Sequence, residues 1–245
     1  FINTQIAAAF AAITWLLLAW HYDRKPSFVE MLIGMIAGAA ILMLPVFLKN
    51  KLKVDEVVTT LLLNFIILLF VGYCLEGPLK DPMSLGWPQA EPIIDSGVFP
   101  ALIERSRLHI GLIFALLAAV VTWAIFRFTL WGFEIRAQGL NAVAARHAGI
   151  NSNWTILKVA LLSGGLAGLA GVSEVAGLKG YLTLDISPGY GYTGIAVAML
   201  ANLHPLGVVL SALFLASIFV GADFMGILFI SVWIINSVIN QSLGE

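Results

Sequence analysis

Long apolar runs separated by short polar ones set the pattern of this chain, and none of the runs alternates residue by residue. A helix needs about 20 mostly apolar residues to cross about 30 Å of hydrocarbon. Runs of this kind occupy Ile2–Trp20, Val29–Leu48, Val57–Leu75, His109–Trp131, Trp154–Val172, Leu206–Ala222 and Phe224–Ile239. Their continuity excludes a membrane strand barrel, whose strands alternate apolar and polar positions. Thr193–Asn202 is apolar but only ten residues long, and His204-Pro205 interrupts it. The pattern predicts an all-α fold, a polytopic transmembrane helix bundle of about seven full spans plus a broken or re-entrant segment. We expect one such domain over residues 1–245.

Composition agrees. Of 245 residues, 60% are apolar and 11% charged, against roughly 45–50% and roughly 25% in soluble domains. So few charges cannot solvate the surface of a soluble protein this size. A net charge of −1 leaves no basic footprint for nucleic acid. Cys74 is the single cysteine, so no internal disulfide forms, and no Cys/His spacing suits a metal. No nucleophile–base pair or carboxylate pair stands out, so no catalytic residue, metal or cofactor is expected. The chain opens on Phe1 rather than Met, which reads as a fragment, and Ile6–Trp20 lacks the charged lead-in and cleavage site of a signal peptide.

The connections differ in kind. Lys49–Glu56 carries Lys49, Lys51 and Lys53, and the loop Gly132–Asn153 carries Arg136 and Arg146. Under the positive-inside rule both face the cytoplasm. The connection Glu76–Arg107, with five prolines, then lies outside. Two small-residue faces, Gly34–Gly38 and Gly164, Gly165, Gly168 and Gly171, let helix backbones approach closely. They serve either ordinary helix packing or a subunit interface. The stretch from Glu174 to Gly194 holds too many Gly and charged residues, plus Pro188, for a lipid-facing helix. Irregular backbone at membrane depth survives only where protein buries it or it lines a cavity, which is where transporters place substrate pathways. A plain surface loop is the alternative. Gly189-Tyr-Gly191-Tyr-Thr-Gly194 also fits the dinucleotide fingerprint, but no strand–helix unit surrounds it. Ionisable residues near spans are few: Glu174, His204 and Asp223 sit at segment edges, and Asn64 is uncharged at mid-span. Asn64 suits a helix–helix hydrogen bond or a ligand contact.

Within Gly132–Asn153 a short helix is expected over about Asn141–Ala148, with Asn141 as its N-cap and Gly149 as its stop. Its Ala-rich face is compact while Arg146 and His147 point elsewhere. That shape suits a groove on a partner or, alternatively, a plain linker.

The run Glu134-Ile-Arg136-Ala-Gln-Gly139-Leu140-Asn141, continuing through Ala144-Ala145-Arg146 to Gly149-Ile150, resembles the coupling-helix region of permease subunits of bacterial ABC importers. The group is that of branched-chain amino acid, simple sugar and nucleoside permeases. Asp55–Asn64 and Gly77–Pro82 look like its nucleoside branch. Leu162–Gly171, Ser187–Leu200 and His204–Gly207 fit the wider group, and the likeness covers about Phe28–Asp223. The resemblance implies a multi-pass permease in the bacterial cytoplasmic membrane. Its implied partners are ATP-binding subunits, a second homologous permease subunit and a periplasmic or lipid-anchored substrate-binding protein, set in membrane lipid. It implies that Gly139, Leu140, Asn141, Ala144, Ala145, Arg146 and Gly149 couple the chain to ATP hydrolysis, with Ala145→Glu uncoupling it. Asn64, Gly189, Tyr190, Gly191, Tyr192 and Thr193 would line or gate the path of a small neutral solute, a nucleoside foremost. The five acids of 76–107 would help dock the binding protein. The chain itself has no Gly-x-x-x-x-Gly-Lys-Ser/Thr and would hydrolyse nothing. A self-sufficient homo-oligomeric secondary transporter or channel is the competing reading, and it would need coupling or selectivity residues that are scarce here. A membrane anchor for a complex would leave the Gly/Pro break unexplained.

Overall fold

A computed structural model of the chain describes residues 28–92, 98–103, 108–186, 189–222 and 225. The expected span Ile2–Trp20, Asp223 and all of the expected span Phe224–Ile239 except Met225 lie outside the described residues. The other five are helices long and apolar enough to cross a membrane.

In chain order the helices are α1 (Phe28–Leu52), α2 (Glu56–Glu76), α3 (Gly111–Phe128), α4 (Leu130–Leu140), α5 (Ala142–His147) and α6 (Ser152–Glu174). A π-helical turn, Val175–Lys179, extends α6, and α7 covers Tyr190–Leu200. The last described span, α8, runs Pro205–Ala222. Among the described residues only isolated bridges, and no strands, interrupt the helical plan. The protein is a polytopic helical membrane bundle.

Backbone packing divides the chain into two units, residues 1–195 and 196–245. In the first, α1 and α6 pack antiparallel along the two small-residue faces. Gly38 lies against Gly164, and Gly34 against Gly168. A Cβ on Gly38 would stand 2.5 Å from the Gly164 carbonyl oxygen, and one on Gly164 would stand 2.7 Å from that of Gly38. Lipid tails are as apolar as leucine, so helices associate through such close contact rather than through hydrophobic drive. The antiparallel pairing puts the end of α1, with Lys49 and Lys51 in its last turn, at the same end as α4, α5 and the start of α6. Both basic stretches therefore share one end of the unit.

The opposite end holds the core. Leu63, Ile67, Val71, Cys74 and Leu75 of α2 pack with Met31 of α1 and with Val172, Val175 and Ala176 of α6 and its extension. Residues of the long connection, Leu79, Ala90 and Phe99, close over them together with Leu182 and Ile186. That connection is tied down by backbone bonds. The Ala90 N–H donates to the Leu182 carbonyl at 2.9 Å, and the Phe99 N–H donates to the Ala176 carbonyl at 2.8 Å. The Asp81 carboxylate accepts from the Met83 N–H (2.8 Å) and the Gln89 side chain (3.1 Å) and is buried. Of the acids expected to face a docking partner, Asp81 is thus committed inside its own loop, because buried carboxylate oxygens need donors.

Three expected boundaries are corrected. The run His109–Trp131 is not one helix. The chain breaks at Thr129, whose hydroxyl donates to the Ile125 carbonyl at 2.6 Å and accepts from the Gly132 N–H at 3.2 Å. Gly132 is required there, since a Cβ would meet the Ile125 carbonyl oxygen at 2.5 Å. The loop Gly132–Asn153 is correspondingly mostly helix, α4 and α5. The break from Glu174 to Gly194 is shorter than its composition suggests. Residues through Lys179 and from Tyr190 onward are helical, because backbone without water must satisfy its own hydrogen bonds even where glycine weakens the helix. Gly180 (φ +71°) and Gly189 (φ +87°) bound the true interruption.

In the second unit, α7 ends in a turn with Asn202 and Leu203 at positive φ. His204 then starts α8, its Nδ1 accepting from the Gly207 N–H at 3.3 Å. This is the reason His204-Pro205 separates two helices: proline at a first helical turn lacks a donor that has no partner there.

Candidate functional site

The α4–α5 corner is built from capping chemistry. Asn141 sits between the two helices in extended conformation, and its Oδ1 accepts from the N–H groups of Val143 and Ala144, both at 3.0 Å. At the other end of α5 the Ile150 N–H reaches the Ala145 carbonyl and the Gly149 N–H reaches the Arg146 carbonyl, both at 3.0 Å. Gly149 has φ +83°. This pairing with a left-handed residue is the Schellman stop, so a six-residue helix is closed at both ends. Asn151 repeats the N-cap for α6, accepting from Asn153 and Trp154. Removing the Asn141 cap (Asn141→Ala) is expected to cost about 1 kcal/mol, read as a lowered thermal midpoint of the purified protein.

The corner is fixed to the bundle. Lys158 on α6 pairs with Glu134 on α4 at 2.8 Å and lies over the Trp131 ring, 5.2 Å from its centroid. The Ser152 hydroxyl donates to Gln138 at 3.1 Å, and Arg136 donates to the Phe126 carbonyl. Exposure then sorts the expected coupling residues. Gly139, Leu140, Asn141, Ala144, Arg146 and Gly149 are exposed, but Ala145 is only 4% exposed and faces the protein. The compact alanine face is therefore partly an inward contact. The outward apolar face is Leu140 (88% exposed) and Val143 (56%), with Ala144 and His147 beside them. Val143 escaped the sequence reading, although the spacing Leu140, Val143, Ala144, His147 is that of one helical face.

The expected path residues gather less tightly. Gly189 starts α7, accepting at its carbonyl from the Tyr192 N–H (2.9 Å) and the Thr193 N–H (3.2 Å). The Thr193 hydroxyl donates to the Tyr190 carbonyl at 3.1 Å. Gly191 is buried, whereas Tyr190 and Tyr192 are about half-exposed. Asn64 is half-buried at the middle of α2, between Leu63 and Ile67 of the core face. Ser187 and Pro188 lie outside the described residues.

Next to this break, His109 fills the space left by glycine. Its ring lies against Gly177, where a Cβ would collide with it, and its Nδ1 accepts from the Gly111 N–H at 3.1 Å. Burial pushes its pKa below the ordinary 6.5. The folded protein therefore binds this proton less readily than the unfolded chain does. The associated stability is intact above pH 6.5 and declines as pH falls below it. Thermal midpoints taken from about pH 8 down to about pH 5 should show that decline. His109→Gln, which keeps an acceptor without a titrating proton, should flatten it.

Among the described residues no group of three His, Cys, Asp or Glu could hold a metal ion.

The profile of the family described as branched-chain amino acid transport system / permease component matches residues 3–239. The guanosine ABC transporter permease protein NupP of Bacillus subtilis is 33% identical over 220 residues, covering 87% of this chain and 62% of NupP. The glucose ABC transporter permease protein TsgB13 of Haloferax volcanii is 34% identical over 191 residues, 74% of this chain and 50% of that protein. The nucleoside ABC transporter permease protein NupB of Lactococcus lactis is 34% identical over 214 residues, 81% of this chain and 59% of NupB. The chain thus spans between half and just over three-fifths of the length of these relatives. No solved structure matches it. With a helical membrane bundle and a profile match along nearly its whole length, the chain belongs to the family of branched-chain amino acid transport system permease components.

Proposed function

We propose that this chain is the membrane-spanning permease subunit of an ATP-driven importer in the cytoplasmic membrane, forming the path of a nucleoside delivered by a binding protein. ATP-binding subunits dock at the α4–α5 corner, a second homologous permease completes the channel, and a periplasmic or lipid-anchored binding protein approaches the opposite end. The observation that carries this reading is the doubly capped α5, which presents Leu140 and Val143 to solvent at the end where both basic stretches lie. A rigid apolar knob of this sort fits a groove on a soluble partner, because central apolar residues dominate such interfaces. On this reading Gly139, Leu140, Asn141, Ala144, Arg146 and Gly149 transmit the closure of the ATPase, with Ala145 anchoring the corner from within. Asn64, Gly189, Gly191 and Thr193 border the path, and the half-exposed rings of Tyr190 and Tyr192 offer faces on which a nucleobase stacks.

Nucleoside is favoured as the substrate by the names of NupP and NupB. TsgB13, named for glucose at similar identity, makes a hexose the second candidate. The test is reconstitution of the assembled importer in liposomes with ATP inside and its binding protein outside. ATP-dependent accumulation of labelled guanosine supports the reading. Accumulation of glucose alone replaces the substrate, and uptake without any ATP-binding subunit overturns the importer.

A further inference from the structure

Glu174 is the last residue of α6, directly before the π-helical turn Val175–Lys179. Its Oε1 is buried and, among the described residues, meets no hydrogen-bond donor. Lys179 stands within electrostatic range of the carboxylate, but its Nζ donates instead to the Asp185 carbonyl at 2.5 Å. Tyr190, at the start of α7 across the interruption, is also within electrostatic range of Glu174. An acceptor left empty at a buried position is costly, and native structures retain few of them. The cost is avoidable, because an apolar side chain at this position would need no donor. Single-turn π-helices, moreover, concentrate at functional sites in α-helices. Two independent features thus converge on one point: a vacant acceptor, and a helix whose regular geometry is given up immediately after it.

We propose that Glu174 is a specificity-determining residue of the path, its carboxyl oxygen accepting a hydrogen bond from a hydroxyl or N–H group of the passing nucleoside. This rests on the reading of the chain as a nucleoside permease. A nucleoside carries several such donors and no charge, so it satisfies the acceptor as it passes. A solute without donors leaves the acceptor empty and is disfavoured, since sites built to hydrogen-bond a solute reject analogues that cannot.

The test uses the complete importer in liposomes and labelled guanosine, comparing wild type with Glu174→Leu and Glu174→Gln. Glu174→Leu should lower the initial uptake rate about tenfold or more, as loss of a buried charge-assisted hydrogen bond predicts. Its thermal midpoint should stay unchanged or rise, because an unpaired buried acceptor is removed. Glu174→Gln, which keeps a carbonyl acceptor, should retain a larger share of uptake than the leucine variant. Wild-type uptake from Glu174→Leu overturns the proposal and leaves the nucleoside permease standing. A lowered midpoint in both variants, with uptake lost in parallel, makes Glu174 a structural residue and also overturns it. If the wild-type importer itself moves no guanosine, the functional reading fails first, and this inference fails with it.

Discussion

Gly164→Val is expected to remove the protein from the membrane. The α1–α6 contact has no room for a side chain, because a Cβ at Gly164 would stand 2.7 Å from the Gly38 carbonyl and 2.8 Å from the Ala39 Cα. These are backbone atoms of a neighbouring helix, so relief requires the helices to separate. Overpacking of this kind typically costs about 1–3 kcal/mol and more where backbone must move, and here it also dissolves the contact that holds two spans together. We expect accumulation to fall severely, measured as membrane-inserted protein and as the thermal midpoint of what remains. Gly194→Ala is the control. It lies inside α7 with open space where its Cβ would go, so it should gain helix propensity of about 0.5–1 kcal/mol. Equal tolerance of both substitutions would show that α1 and α6 do not meet through their glycines.

The second large effect belongs to the α5 corner. Val143→Glu and Leu140→Glu should each reduce ATP-driven uptake by about thirtyfold or more, the scale of losing a central interface residue, while the permease accumulates normally. Both residues are exposed in this chain, so a charge there costs nothing until a partner covers it. Ala145→Glu should behave differently. At 4% exposure its carboxylate would enter the contact between the corner and the bundle, and an unpaired buried charge destabilises the fold itself. The reading predicts normal protein with absent transport for the first two variants, and absent protein for the third. Unimpaired uptake in Val143→Glu and Leu140→Glu would remove α5 from any coupling role.

Most of the architecture was readable because hydrocarbon imposes a length and a composition on whatever crosses it. The helices α1, α2, α3, α6 and α8 each fall on an expected run. Caps were readable for a similar reason: Asn141 and Gly149 act on backbone groups within three to five residues, so sequence neighbours contain the whole interaction. What depended on distant neighbours was not readable. The apolar run through Trp131 conceals a break because Thr129 and Gly132 matter only once Ile125 and Phe126 stand beside them. The inward turn of Ala145 likewise needs the bundle to be in place. Glu174 was seen as a charge at a segment edge, since nothing in the chain says that its oxygen will find no donor. Conversely, glycine content overstated the interruption before α7, where the surrounding apolar helices keep the backbone wound.

The fastening of α6 has a mechanical consequence. Its first turns are clamped to the α4–α5 corner through Lys158 and Glu134, and its far end is clamped to the long connection through the Ala176 carbonyl. The α-helix that carries the first clamp and leads into the turn holding the second is 23 residues long, about 35 Å at 1.5 Å per residue. Over that length α6 is a strut joining both faces of the membrane, and a push at one clamp arrives at the other as a displacement of the same body. The helical body ends at Gly180, whose left-handed conformation (φ +71°) closes the π turn.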